Sequence, residues 1–191
     1  MMKPLISLSL CVAAACAHSA PVQYTIDPDH TYPSFAADHM GGLSVWRGKL
    51  RASGGTVTLD RSSHTGTVDI TIDVATIDFD NDKLNEHAKS AELFDVAKYP
   101  TATYHGTISK FNGDAPAEVD GSLTLHGVTK PVKLMINSFL CKTSPMNNKE
   151  KCGADASAML NRADYGIDFG QKMGFKMDVK LEIQVEATPA G

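Results

Sequence analysis

Residues 67–74 read Thr67-Val68-Asp69-Ile70-Thr71-Ile72-Asp73-Val74. A period of two puts Val68, Ile70, Ile72 and Val74 on one face of an extended strand and the Thr and Asp side chains on the other. One apolar face and one wet face is the pattern of an antiparallel sheet. The same alternation fills the far end of the chain. There Val179, Leu181, Ile183 and Val185 alternate with Asp178, Lys180, Glu182, Gln184 and Glu186.

Working outward, further strands are expected over much of the sequence. Val22–Ile26 stops at Asp27-Pro28. In 34–40, Phe35, Ala37 and His39 alternate with Ser34, Ala36 and Asp38, and Gly41-Gly42 makes a turn. A strand over 43–53 bends at Gly48, and 55–60 is a separate one. Strands at 101–112, 117–126 and 128–140 follow, the last two joined by a tight turn at Leu125-His126-Gly127. A strand within 153–169 ends in a turn at Gly166. About eight alternating strands with regular turn signals make an all-β sandwich or barrel. Both architectures bury the same residues, so periodicity leaves both open.

One stretch breaks the pattern. In 84–104, Leu84, Ala88 and Ala91 share a helical face, with Lys83, Asn85, Glu86 and Lys89 on the wet side. Asp80 or Asn81 is the expected N-cap, and Pro100 returns the chain to extended geometry. Leu93 and Phe94 follow the helix and are too apolar for water. The helix is expected either as a lid on a barrel or as a connection packed on a sheet edge.

The 191 residues allow one domain. A net charge of −4 argues against nucleic acid and against an anionic membrane surface. Residues 1–20 read as an export signal: Lys3, an apolar run Leu5–Ala15 too short to span a bilayer, and small residues that put cleavage within 17–20. Ala13-Ala14-Ala15-Cys16 is a degenerate lipoprotein alternative. No later run reaches transmembrane length, so residues 21–191 are expected as one exported, periplasmic domain. Cys141 and Cys152 then remain as a pair in an oxidising compartment, where a structural disulfide closing a polar loop is the expectation.

Catalytic and metal patterns are missing. The sequence holds no Gly-x-Ser-x-Gly, Ser-x-x-Lys or His-Glu-x-x-His motif. Asp78-Phe79-Asp80-Asn81-Asp82 imitates the start of a calcium loop, but Lys83 and Lys89 stand where Gly and Glu are required. His39 and His126 sit beside glycine turns and read as surface or hydrogen-bonded. Arg162 and Asp164 could pair across their turn, which would be structural. No enzyme and no metal site is expected.

The chain is similar to the YceI-like family of secreted polyisoprenoid-binding proteins over roughly 22–187. The resemblance is carried by Asp27-Pro28-Asp29-His30-Thr31 with Phe35–Leu50, by His87–Tyr104, by Gly121–Leu134 and by Arg162–Gly166. It implies an extended, eight-stranded, antiparallel lipocalin-like barrel with one short helix and an apolar tunnel. The implied partner is a long-chain lipid: a polyisoprenoid, an isoprenoid quinone or a fatty-chain ligand. A homodimer is also allowed. The apolar residues expected to line the tunnel are Phe35, Leu43, Trp46, Val68, Ile70, Ile72, Leu93, Phe94, Leu123, Leu134, Ile136, Phe169, Phe175, Val179, Leu181 and Ile183. The function implied is periplasmic binding or carriage of lipid. The alternative is a secreted accessory protein or enzyme acting on an isoprenoid quinone, for which His39 is the nearest titratable candidate.

Overall fold

The computed structural model describes residues 20–191; the expected export signal lies outside them but for its final residue. Nine strands and one helix run in the order β1 (Val22–Ile26), β2 (Tyr32–His39), β3 (Ser44–Asp60), β4 (Thr65–Asp78), α1 (Asp82–Lys89), β5 (Thr101–Asn112), β6 (Ala115–Leu125), β7 (Val128–Thr143), β8 (Glu150–Asn161) and β9 (Asp178–Pro189). The strands from β2 to β9 close an antiparallel ring, β3-β2-β9-β8-β7-β6-β5-β4 and back to β3. Closure removes the free edges that a sandwich would leave, and the eight-stranded, lipocalin-like barrel with a single helix is the observed fold.

The ninth strand fills half a stave. β1 pairs with β3 through Val22↔Leu59 and with β9 through Ile26↔Ala187, while β2 occupies the same gap at the other end through Phe35↔Gly48 and Phe35↔Leu181. The two are separated by a 3-10 turn at Pro28–His30, capped by the Asp27 carboxylate, which accepts the Asp29 amide at 3.0 Å. Proline at the start of that turn has the φ it needs and no amide to leave unpaired.

The two strands expected at 43–53 and 55–60 are one, β3, with breaks in register between Lys49 and Arg51 and between Ala52 and Gly54. A Cβ on Gly48 would stand 2.6 Å from the Phe35 ring, so the glycine makes room for an inward aromatic. The β6–β7 turn is as expected: His126 and Gly127 both take positive φ, 51° and 75°, the geometry of a two-residue hairpin turn.

α1 is shorter than its apolar spacing suggests. Asn81 is the N-cap, accepting from the Leu84 amide at 3.1 Å. Ser90 ends the helix, so Ala91 lies beyond it and is exposed. Asn85 is not on the wet side. Its amide group clasps the end of β4, accepting from the Phe79 amide at 2.8 Å and donating to Asp78 at 3.0 Å. Ala88 is fully buried against the barrel.

Cys141 and Cys152 are bonded. They are directly opposed partners on β7 and β8, and both strands run past them to Thr143 and Glu150. The bond therefore staples a hairpin within the sheet, and only residues 144–149 form a loop.

Candidate functional site: an apolar cavity inside the barrel

Side chains at every second position point inward, so the alternating sets of the sequence become the wall of one cavity of about 430 Å³. Val68, Ile70 and Ile72 come from β4, Leu123 from β6, Leu134 and Ile136 from β7, and Val179, Leu181 and Ile183 from β9. Phe35 and Trp46 come from β2 and β3, Leu93 and Phe94 from the segment after α1, and Phe169 and Phe175 from the β8–β9 connection. Many of these, among them Ile70, Ile72, Leu134, Ile136, Leu181 and Ile183, are only half-buried although they face the interior. A filled core would bury them; this barrel is hollow.

Of the expected wall residues, Leu43 alone is elsewhere. It sits on the β2–β3 turn and is 73% exposed. The two glycines before it turn the chain sharply, and the strand begins only at Ser44.

The wall also holds residues the reading of the sequence missed: Tyr24, Leu59, Phe79, Leu84, His87, Tyr104, Ile108, Phe139 and Arg162 among them. Several were visible in the alternation. Val57 and Leu59 share a face of β3, as do Ala102 and Tyr104 on β5. Arg162 carried no such signal.

The hydroxyls of the wall are engaged with the protein. Tyr104 lies over Gly121, where a Cβ would be 2.4 Å from its ring, and donates to the Val132 carbonyl at 2.9 Å. Burial raises its pKa to about 12, so it stays a neutral donor. Tyr24 donates to Glu150 at 2.7 Å, and Thr31 to the Glu186 carbonyl at 3.4 Å.

The charged and imidazole-bearing wall groups, Asp38, His39, His87 and Arg162, belong to the helix end of the barrel. Arg162 does not pair with Asp164. It donates to the carbonyls of Ile167 and Phe169, each at 2.8 Å, and so braces the loop that carries Phe169. Burial lowers its pKa from the ordinary value, yet the guanidinium remains charged. Asp38 is held below the usual carboxylate range by the amides of Lys176 and Gly41, each at 2.9 Å. Rings crowd the same end: His39 packs on Trp46 and Phe175, Phe79 on Phe35 and Trp46, and His87 on Phe169.

The two ends differ in closure. Phe169 lines the cavity and is 36% exposed, so the cavity reaches solvent beside α1. At the opposite end Tyr24, Leu59, Ile108, Cys152 and Ala187 line it and are all buried. Arg61 crosses that end from outside, 2.8 Å from the Cys141 sulfur and over the Phe139 ring.

Two clusters have the composition of a metal site and another chemistry. Asp27, His30 and Glu186 converge, but the Lys151 ammonium already bridges the carboxylates, at 3.1 Å from Asp27 and 2.6 Å from Glu186. Cys141, Glu150 and Cys152 include the disulfide. The acids at 78–82 cap α1 and its approach, with Asp78 accepting the Asp80 amide at 2.8 Å. His126 is hydrogen-bonded, its Nδ1 lying 3.0 Å from the Tyr165 carbonyl. Among the described residues no helix is long and apolar enough to cross a membrane.

Comparison with known proteins gives a consistent result. The family described as the YceI-like domain matches residues 24–187. Protein YceI of Escherichia coli O6:H1 is 31% identical over 171 residues, covering 87% of this chain and 88% of that protein. A UPF0312 protein of Pseudomonas aeruginosa is 32% identical over the same length, with the same coverage. Among solved structures, a polyisoprenoid-binding domain from Saccharophagus degradans superposes with a TM-score of 0.62 at 14% identity, covering 88% of this chain and 99% of that one. Burkholderia cenocepacia BcnA gives 0.60 at 20% identity, covering 82% and 96%. These superpositions establish a shared fold.

Proposed function

We propose that this chain, which belongs to the YceI-like family, binds and carries a long-chain isoprenoid or similar amphiphilic lipid in the periplasm. The observation that carries the reading is the hollow barrel: an apolar wall around a cavity of about 430 Å³, with its charged groups confined to one end. Such a site takes an apolar chain along the staves and keeps a polar head beside Arg162, His39 and His87. A buried methylene contributes ~0.8 kcal/mol, so about ten of them supply roughly 8 kcal/mol before association costs, the scale of micromolar affinity. Chain length therefore sets affinity, and the head has to supply selectivity. The polyisoprenoid named for the Saccharophagus degradans domain supports this ligand class.

Protein purified without detergent is expected to carry a co-extracted long-chain lipid by mass spectrometry. After delipidation, a prenyl-chain probe should change the fluorescence of Trp46, the sole tryptophan and a wall residue. Leu181→Asp, which puts a charge on the wall, should abolish that response, with folding checked beside it. Folded, delipidated wild type that neither responds nor retains any prenyl or fatty-chain ligand would overturn the carrier reading. A second reading, an accessory role on an isoprenoid quinone, draws on His39 and His87 in the wall; turnover of a prenylquinone by the protein would favour it.

A further inference from the structure

The helix end carries apolar side chains that neither the core nor the cavity uses. Met40 and Leu43 stand on the β2–β3 turn, 57% and 73% exposed, and Val45 follows at the start of β3, 52% exposed. Met173 stands on the β8–β9 connection, 61% exposed. The two segments touch. A Cβ on Gly41 would be 3.0 Å from the Gly174 carbonyl oxygen, and the Asp38 carboxylate ties the segments together by accepting the Gly41 and Lys176 amides. These side chains are therefore held up by a fixed scaffold. Phe169 joins this rim to the cavity, being at once exposed and part of the wall.

We infer that this rim docks the open end of the barrel onto a phospholipid bilayer, so that lipid passes between membrane and cavity without crossing water. The inference rests on the lipid-carrier reading. Continuity decides the occupant: a long chain leaving the cavity through bulk water exposes apolar surface at ~0.8 kcal/mol per methylene, and a rim seated in the interface removes that exposure. Turn residues such as Leu43 and Met173 reach the headgroup and acyl boundary. Lys172 and Lys176 flank Met173 and Phe175 and can keep their ammonium groups at headgroup level. Asp168 shares this end, and the chain's net charge is −4, so attraction to an anionic surface is not the driving force. At the opposite hairpin Met146 is exposed at the tip among Ser, Pro, Asn and Lys, and Leu140 is exposed on β7 beside the disulfide.

The test uses the full processed protein and vesicles of phosphatidylcholine. Wild type should float with the vesicles and take up a fluorescent prenyl lipid from them. Leu43→Asp combined with Met173→Asp should lower vesicle partition by about tenfold or more, a factor equal to about 1.4 kcal/mol, and slow uptake similarly. The same variant should bind the probe normally when it is delivered from detergent micelles, since neither residue lines the cavity. Met146→Asp should change nothing. Absence of flotation by wild type, or flotation unchanged in the double variant, overturns the inference. So does flotation that requires phosphatidylglycerol and ignores both rim residues, and so does a rim that proves to hold two copies of the chain together, read as a dimer-to-monomer shift without loss of vesicle partition. Failure of wild type to bind the probe from micelles would instead overturn the carrier reading.

Discussion

The barrel has two ends built by opposite means. At the disulfide end the wall residues Tyr24, Leu59, Ile108 and Cys152 are buried, a covalent bond crosses the β7–β8 hairpin, and Arg61 lies over it. At the helix end a two-turn helix held by one asparagine cap, a braced loop and a cluster of rings surround an opening. The covalent staple stands where the cavity is sealed. The charged wall groups and the exposed Met40, Leu43, Val45 and Met173 stand where it opens. Ligand-binding segments are drawn from the less stable parts of a fold, because what admits a ligand has to move. A barrel closed by its own hydrogen bonds can leave one end loose without losing the ring.

The largest expected effect belongs to the sealed end. Replacing Cys141 and Cys152 together by alanine should lower unfolding free energy by ~2–4 kcal/mol, the usual contribution of a native disulfide, read from the urea midpoint. Probe binding at a temperature where the variant stays folded should be nearly unchanged. A large loss of binding without loss of stability would mean that the sealed end takes part in recognition. At the open end, Asn81→Ala removes the cap and should cost ~1 kcal/mol locally. Hydrogen exchange should quicken across α1 while the barrel amides keep their protection, and ligand exchange should quicken with it. Uniform acceleration through the barrel would show that helix and ring unfold as one unit. The smallest effect is electrostatic and again at the sealed end. Asp60 accepts the Ser62 and Ser63 groups, and these bonds lower its pKa from 3.8 to about 2. A carboxylate lowered on folding stabilises fully above its unfolded pKa, and that contribution is lost as pH falls toward the folded value. The stability of Asp60→Asn should thus fall less steeply than wild type between about pH 4 and pH 2; parallel acid limbs would remove the role given to these bonds.

Much of this molecule was legible in its sequence, and the failures have physical causes. The strands were legible because a half-buried strand must alternate, and β4 and β9 do so without exception over their central residues. Closure was not, because a sandwich buries the same side chains; the family resemblance supplied it, and the β3–β4 and β2–β9 pairings bear it out. Leu43 goes against the alternation itself: with Trp46 facing inward, Leu43 falls on the outer parity with Val45, and the turn at Gly41 and Gly42 exposes it further. Ala91 continued the helical spacing, but Ser90 stops the helix first. Arg162 was matched to Asp164 by proximity in sequence. Its partners are carbonyl oxygens, and a backbone acceptor leaves no mark on residue type.

The broken stave has a consequence for how the protein comes into being. β1 and β2 leave the ribosome well before β9, yet both need it: Tyr24 faces Pro189 and Phe35 faces Leu181. Until β9 emerges, β1 and β2 lack one neighbour and the ring stands open along a seam. Contacts so distant along the chain form late and slowly. No growing chain contains a cavity, so none can be filled during synthesis; the vessel exists only once its last plank is set.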